Sequence, residues 1–271
     1  MALKGIAFNK KKGHILVSSI EHDCVLNAAK WLGKNGFEVD FLPVDKNGIV
    51  SPKICKKNNI YFHSDAAQSF GKIPVDISNV DLLTISSQKI YGPKGAAALF
   101  IKNGVKIEPL LHGGGQEKGL RSSTENVPAI VGFAKAAEIA ISTMEKEKER
   151  LTRLRDKIIE TLTKEIPNCY LNGHPVKRIY NNINVRFSFV EGEAILFMLN
   201  SHGIAVSTAS ACSSPKLEPS HVLSAMGLKQ EEAHGSIRIS LGRWTKESEV
   251  NYLLKVLPEV VKKLREISPY K

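Results

Sequence analysis

The amino-acid sequence predicts an α/β fold, with a mainly parallel sheet, flanking helices and a smaller C-terminal α/β domain. Three observations support this prediction. Short apolar runs alternate with helical patterns from residue 14 to residue 102, a long helical pattern follows, and strand and helix patterns resume after it on a smaller scale. Strand, helix and strand in this order are typical of a sheet that is covered by helices on its faces.

Five strands are expected in the first part of the chain. A helix is predicted between the first two, because Val25, Ala29 and Leu32 have the spacing of one helix face and Gly36 follows them. The predicted strands are residues 14–19, 37–44, 59–65, 81–87 and 96–102.

A helical pattern from Val127 to about Ile166 is expected to connect two domains. Its first half is apolar nearly all round, whereas its second half has one apolar face and one charged face. A helix that changes in this way often bridges two substructures. We therefore predict a large domain at 1–140 and a small domain at 141–271, the latter with strands at 181–188 and 235–242 and a C-terminal amphipathic helix.

Composition indicates a globular protein of the cytoplasm. No apolar run approaches the roughly 20 residues that span a bilayer, and the N-terminal residues lack the apolar centre of a signal peptide. The four cysteines form no CxxC pair, so we expect neither a structural zinc site nor a disulfide framework. The net charge of +11 favours anionic ligands or acidic partners. Nucleic-acid binding is not predicted, because the lysines are spread along the whole chain without interleaved aromatic residues.

Polar residues follow two of the predicted strands. In open α/β sheets, ligands bind outside the carboxyl ends of the strands, so both segments indicate one site. The first strand is followed by Asp65 and Gln68, and the second by Ser86, Ser87, Gln88 and Lys89.

Asp65 and Lys89 together suit pyridoxal phosphate (PLP). A lysine at the end of a buried strand can react with an aldehyde, and a carboxylate opposite a pyridine nitrogen keeps that nitrogen protonated. The alternative is a surface lysine and a helix-capping aspartate, which is the commoner role of either residue taken alone.

Cys212 lies in the segment "STASACSSP", which contains only small residues and proline. A buried structural cysteine usually has bulky neighbours, whereas a reactive thiol needs an accessible loop. The residues alone leave a reactive and a passive thiol open.

Five motifs together resemble the cysteine desulfurases. They are "HSDAAQSFGKIPVD", "SSQKIYGPKG", "HGGGQEKGLRSSTENVP", "STASACSS" with "LEPSHVL", and "SIRISLGR", in the family's order and over nearly the whole chain. The family consists of fold-type-I PLP enzymes. They convert L-cysteine to L-alanine and pass the sulfur to iron–sulfur cluster assembly and other routes.

The resemblance implies a role for each cofactor residue. Lys89 would form the Schiff base with PLP, Asp65 would pair with the pyridine nitrogen, and Gln68 with the ring hydroxyl oxygen. His22, in "SIEHDCV", matches the histidine that stacks on the ring and can transfer protons. Ser86, Ser87 and Gln88 match the phosphate-contacting turn.

The resemblance also implies a homodimer, a substrate site and a sulfur acceptor. Thr124 matches a phosphate contact that the family supplies from the neighbouring subunit, and Arg238 matches the guanidinium that binds the substrate carboxylate. Cys212 matches the nucleophile that takes the sulfur as a persulfide for a scaffold protein or another acceptor. Cys212 is also a candidate iron–sulfur ligand, and no other metal ligand is predicted.

The chain departs from the family pattern in four places. An N-terminal segment with a phosphate loop and an internal segment with a cofactor-contacting asparagine have no counterpart, so the native protein is expected to be longer. Gln88 replaces a frequent histidine, and Ser123 replaces a glycine. Two alternatives therefore stay open: a catalytically silent remnant that keeps the dimer or scaffold-binding surface, and another class-V PLP lyase or aminotransferase.

Overall fold

The computed structural model describes residues 1–51, 60–208 and 219–269, so Cys212 lies outside the described residues. The chain divides into two compact units. Unit 1 consists of Met1–Leu42 with Ser51–Glu145, and unit 2 of Pro43–Val50 with Lys146–Lys271.

Unit 1 contains two small sheets and their helices. Strands β1 and β2 pair in parallel, β3 and β4 also pair in parallel, and β5 joins β4 in the antiparallel direction. The elements are α1 (Ala2–Lys10), β1 (His14–Ser18), α2 (Asp23–Lys34), β2 (Glu38–Leu42), β3 (His63–Asp65), β4 (Leu82–Ser86), a 3-10 helix (Ser87–Ile90), β5 (Ala97–Ile101) and a second 3-10 helix (Glu117–Gly119). The predicted α/β class is confirmed, although the antiparallel direction of β5 was not predicted.

Unit 2 is built on a four-stranded antiparallel sheet with the order β6-β7-β9-β8. Helix α3 (Val127–Glu165) begins in unit 1 and ends in unit 2. The remaining elements are β6 (Cys169–Leu171), β7 (Asn182–Phe187), α4 (Gly192–Ser201), β8 (Ser207–Thr208), α5 (His221–Ala225), α6 (Gln230–His234), β9 (Ser236–Ser240) and α7 (Glu247–Ile267).

Local sequence explains where α2 and the core face of α3 form. The His22 side chain caps α2 by accepting the backbone N–H of Cys24, and Leu26, Ala29 and Leu32 bury one face of that helix. The apolar face predicted for the second half of α3 is buried in unit 2, including Leu151 and Ile158.

Among the described residues, α3 is the one helix that is long and apolar enough to cross a membrane, with a mean hydropathy of 1.4 over 18 residues. Length and composition alone do not separate such a segment from the helix of a globular core. Phe133 and Ala140 on α3 are buried in unit 1, where they pack in one cluster with Ile90.

Candidate active site

The polar residues that follow β3 and β4 lie at one edge of their sheet. The two strands are parallel neighbours in which Asp65 is opposite Thr84, so both chains leave the sheet in the same direction. Ser86 ends β4 and is half-buried, while Gln88 and Lys89 are exposed on the 3-10 helix that starts at the next residue. The structure therefore brings Asp65 and the 86–89 segment together at this edge.

One oxygen of the Asp65 carboxylate accepts a hydrogen bond from the turn that follows β3. Its Oδ1 accepts the backbone N–H of Ala67 at 2.9 Å, which fixes the chain as it leaves β3. No described residue donates to its Oδ2. Asp65 is half-buried, and the exposed Gln68 lies in the same turn.

A cavity of about 490 Å³ opens beside Asp65. Its walls come from β3, β4 and the first two helices, and they include His63, Asp65, Thr84, Cys24, Trp31 and Met1. The cavity is therefore open to solvent on one side and has Asp65 in its wall, whereas Gln68 and Lys89 are not among its lining residues.

Two neighbours of Asp65 that the sequence analysis did not select also line this cavity. His63 precedes Asp65 by two residues on the same strand, and its Nε2 lies 2.8 Å from Oγ1 of Thr84. Burial lowers the pKa of His63, and the charge of Asp65 opposes that shift. The alternation of side chains along a strand could have indicated His63, because residues i and i+2 share one face.

The carboxylate also influences the side chains at the start of α2. Burial raises the pKa of Glu21 and of the Cys24 thiol, and the negative charge of Asp65 adds to both increases. The field of Asp65 therefore favours a positive partner in the cavity.

His22 is exposed, and its ring is oriented by the cap that it forms. Nδ1 accepts the Cys24 N–H at 3.2 Å and lies 3.1 Å from Cys24 Sγ. Because Nδ1 is the acceptor, the neutral ring carries its proton on Nε2. His22 can thus present a single N–H away from the helix.

Ser87 is enclosed rather than exposed. Its side chain is fully buried, its Oγ has no hydrogen-bond partner among the described residues, and its N–H donates to Ala96 O at 3.1 Å. A Cβ on Gly92 would collide with this Oγ and would lie 3.0 Å from Ala136 Cβ. The Ser87 side chain therefore packs the turn beneath Lys89, whereas Ser86 is half-buried.

Thr124 is exposed and follows a serine in an unusual conformation. Ser123 has φ 143°, a value that favours glycine. Its N–H donates to Gln116 Oε1 at 3.2 Å, and its Oγ accepts from Arg121 Nη1 at 2.5 Å. The loop thus keeps a glycine-like backbone where the chain has serine.

Arg238 lies on β9 of unit 2 and is exposed. Its Nη2 donates to Ser207 Oγ at 3.3 Å, and the two residues face each other across the β8–β9 pair. Cys212 follows β8 by only four residues in the sequence. Within the described ranges, no group of three or more His, Cys, Asp or Glu residues could hold a metal ion.

Comparison with known proteins identifies the class of enzymes to which this fold belongs. Residues 52–253 match the family model described as Aminotransferase class-V. A solved structure described as a NifS-like protein superposes with a TM-score of 0.88 at 35% identity, covering 97% of this chain and 79% of its own. A NifS-like protein from Rickettsia africae gives 0.82 at 28% identity, covering 92% and 76%. The fold is that of class-V aminotransferases, which depend on PLP.

Curated relatives define the family within that class. The chain is 48% identical to "Cysteine desulfurase IscS" of Methanosarcina thermophila, over 99% of this chain and 75% of the relative. It is 50% identical to "Cysteine desulfurase IscS 1" of Archaeoglobus fulgidus, over 99% of this chain and 80% of the relative. The chain belongs to the cysteine desulfurase family, which confirms the family that the five motifs predict.

The residues present fit PLP. Asp65 lines the cavity, no described residue donates to its Oδ2, and a carboxylate suits a pyridinium N–H. The exposed Lys89 follows the neighbouring strand but is not among the residues that line the cavity. The carboxylate can pair with the ring nitrogen of the cofactor, and the lysine amine can react with its aldehyde.

Proposed function

We propose that this chain is a cysteine desulfurase that converts L-cysteine to L-alanine, holds the sulfur as a persulfide on Cys212 and delivers it to iron–sulfur cluster assembly. One observation carries the proposal. Lys89 is exposed directly after β4, at the sheet edge where the half-buried Asp65 ends β3, in a chain 48% identical to a protein named cysteine desulfurase.

The cofactor residues of this proposal belong to unit 1. Lys89 holds PLP covalently, Asp65 accepts the pyridinium N–H, and Gln68 contacts the ring hydroxyl oxygen. The phosphate is assigned to the turn of Ser86, Ser87 and Gln88 and to Thr124 of a neighbouring subunit. Within that turn, Ser86 and Gln88 are the contacts that exposure favours, while the buried Ser87 supports them from below. When bound, PLP stabilises the electron pair that develops next to the amino group of the substrate.

Sulfur transfer in this proposal needs only the substrate and the Cys212 thiol to account for every bond, electron and proton. The Cys212 thiolate attacks the sulfur of L-cysteine, an S–S bond forms and the C–S bond breaks. The C–S electron pair stays on carbon, which takes a proton and becomes the methyl group of L-alanine. Carbon is thereby reduced and sulfur oxidised, so no external oxidant or reductant is needed.

His22 and Arg238 handle the proton and the carboxylate of the substrate. The Nε2–H of His22 is available for proton transfer because Nδ1 is engaged with the Cys24 N–H. Arg238 binds the carboxylate through its guanidinium, whose Nη2 is oriented by Ser207. Their roles are supported by exposure of both side chains.

The proposal includes a cytoplasmic homodimer and an acidic or scaffold-type sulfur acceptor. Val127 and Val131 at the start of α3 are exposed at 59% and 62%, close in sequence to Thr124. Thr124 is assigned to the PLP site of the other subunit, so an exposed apolar surface next to it supports a dimer. The net charge of +11 favours an acidic acceptor, and a reducing compartment keeps the Cys212 thiol from forming a disulfide.

Two substitutions test the activity. Purified protein with PLP and L-cysteine is expected to form alanine and a persulfide on Cys212, and an added thiol reductant should release that sulfur as sulfide. Borohydride reduction should label Lys89. Cys212→Ser should abolish desulfuration while PLP still binds, and Lys89→Ala should abolish the label. Transamination that survives Cys212→Ser would indicate another class-V enzyme. No label and no alanine in the wild-type chain would indicate a silent member of the family.

A further inference from the structure

Lys72 is a charged side chain of unit 1 that is almost fully buried, with 8% exposed. Its ammonium donates to the carbonyl of Gln68 at 2.8 Å and to the carbonyl of Lys89 at 3.3 Å. Gln68 lies in the turn after β3 and Lys89 in the 3-10 helix after β4. One buried cation thus joins the two polar segments that leave neighbouring strands.

The chain around Lys72 is packed tightly against the Lys89 segment. Gly71 has φ +73°, and a Cβ placed on it would lie 2.9 Å from Ile90 Cγ2 and 2.9 Å from Ala140 Cβ. The Lys72 N–H donates to Ser69 O at 2.9 Å, so the backbone and the ammonium of this lysine are both held. Only a residue without a side chain allows so close an approach here.

Burying an ammonium group is unfavourable unless hydrogen bonds replace its water. The two carbonyls supply such bonds, and a charged donor makes them stronger than bonds between neutral groups. A shorter or apolar side chain at this position would leave the carbonyls of Gln68 and Lys89 without the ammonium donor.

We propose that Lys72 is a positioning residue of the cofactor site, which holds the backbones of Gln68 and Lys89 in one fixed relation. The inference rests on the proposed function, in which the side chains of Gln68 and Lys89 both contact PLP. The orientation of the Lys89 peptide group influences where its side chain starts, and a small misplacement of a reacting group reduces the rate strongly.

Lys72→Met tests this role because it keeps most of the stem and removes the donors. It should raise the Kd for PLP by about tenfold, or about 1.4 kcal/mol. It should also lower kcat at saturating PLP while KM for L-cysteine changes by less than about twofold, and shift the pH at which the visible band of bound PLP changes. Lys72→Arg, which retains the donors, should restore part of the affinity.

Lys102→Met is the matched control, because Lys102 is a half-exposed lysine of unit 1 with its Nζ 3.9 Å from Asp81 Oδ1. It should leave the Kd, kcat and the visible band unchanged. The thermal midpoint of each variant without PLP reports folding separately, and Lys72→Gln replaces Lys72→Met if the latter is insoluble.

Labelling of wild type and Lys72→Met distinguishes a failure of the positioning role from a failure of the proposed function. Borohydride label on wild-type Lys89, with weaker label in Lys72→Met at equal PLP concentration, supports both. Equal label, Kd and band position in wild type and Lys72→Met would overturn the positioning role alone, even if the thermal midpoint falls. Absence of label in wild type would overturn the proposed function and the positioning role with it.

Discussion

The two units differ in how their apolar residues are arranged. In unit 2, twenty-two buried residues from α3, α4, α7, the antiparallel sheet and the segments that connect them form one continuous cluster. In the described part of unit 1, most buried apolar residues fall in four clusters of three residues each, and Ala7, Leu32 and Ala129 are buried outside them. Both units expose large apolar side chains, for example Trp31 and Val131 in unit 1 and Phe197 and Trp244 in unit 2, so the difference lies in the buried clusters.

From this difference we expect unit 2 to be stabilised mainly by its own packing, and unit 1 to gain more stability from what it binds. A continuous core gives each buried side chain many neighbours, whereas small clusters leave apolar surface in water. The residues assigned to PLP lie in unit 1, where the cofactor and a second subunit would cover part of that surface. We therefore expect the two units to respond differently to the same kind of change.

Matched leucine truncations give the largest expected effect. Leu257→Ala in unit 2 should cost about 4 kcal/mol of unfolding free energy, because the side chain is fully buried in the large cluster. Leu82→Ala in unit 1 should cost about 2 kcal/mol, since its cluster is small and can relax. Urea denaturation, with hydrogen exchange of β9 and β4 amides as local probes, measures both. Equal costs would contradict the comparison.

Cofactor binding should stabilise unit 1 selectively. At a PLP concentration of about 100 times Kd, the opening free energy of amides in β3 and β4 should rise by about 2.7 kcal/mol. Amides of β7 should gain much less. Hydrogen exchange with and without PLP measures this, and Lys89→Ala should remove the gain. A similar gain in β7 would show that the cofactor does not act on unit 1 alone.

Alkaline pH should weaken unit 2 through Cys169. Burial raises the pKa of this thiol to about 11, from an ordinary value of 9.0. Between these values the unfolded state loses its thiol proton first, so stability falls as pH rises and is reduced by about 1.4 kcal/mol at pH 10. Urea denaturation at pH 8 and pH 10 should show a smaller pH effect in Cys169→Ala.

Cys24 is the control for accessibility. It is exposed in unit 1 whereas Cys169 is buried in unit 2, so iodoacetamide should modify Cys24 faster in the native protein. An unchanged pH effect in Cys169→Ala would show that another group causes the alkaline loss.

The sequence predicted the elements whose pattern is long and regular. Helices α2, α3 and α7 and strands β7 and β9 show a clear period, because each buries one face. Helix α1 was not predicted, since the residues it buries are the small Ala2, Gly5 and Ala7, which give little apolar contrast. The grouping of residues 43–50 with unit 2 was not predicted either, because it depends on Val44 packing against a cluster distant in sequence.

The part of the candidate site that lies at the ends of strands could be predicted from the sequence. Asp65 and Lys89 follow apolar runs, so their common edge could be inferred from the order of residues alone. Lys72 was not found, because nothing in the sequence separates a buried lysine from the many exposed ones. The enclosure of Ser87 depends on its contact with Gly92, which only the fold reveals.

Relief of backbone strain at Ser123 gives the smallest expected effect. Its φ of 143° lies in a region that L residues rarely adopt, where strain costs about 1–3 kcal/mol. Ser123→Gly removes that strain but also the hydrogen bond from Arg121 and adds freedom to the unfolded chain. The net result should be a gain of about 1 kcal/mol in the unfolding free energy of unit 1, measured by urea denaturation.

The adjacent serine separates strain relief from a general effect of glycine. Ser122 is buried, does not have a positive φ, and its Oγ accepts the Gly115 N–H at 3.4 Å. Ser122→Gly should therefore lower the unfolding free energy, because it loses a contact and relieves no strain. If both variants were destabilised, the lost hydrogen bond from Arg121 and the freedom that glycine adds to the unfolded chain would outweigh the strain at Ser123. The serine would then be the better residue for this loop.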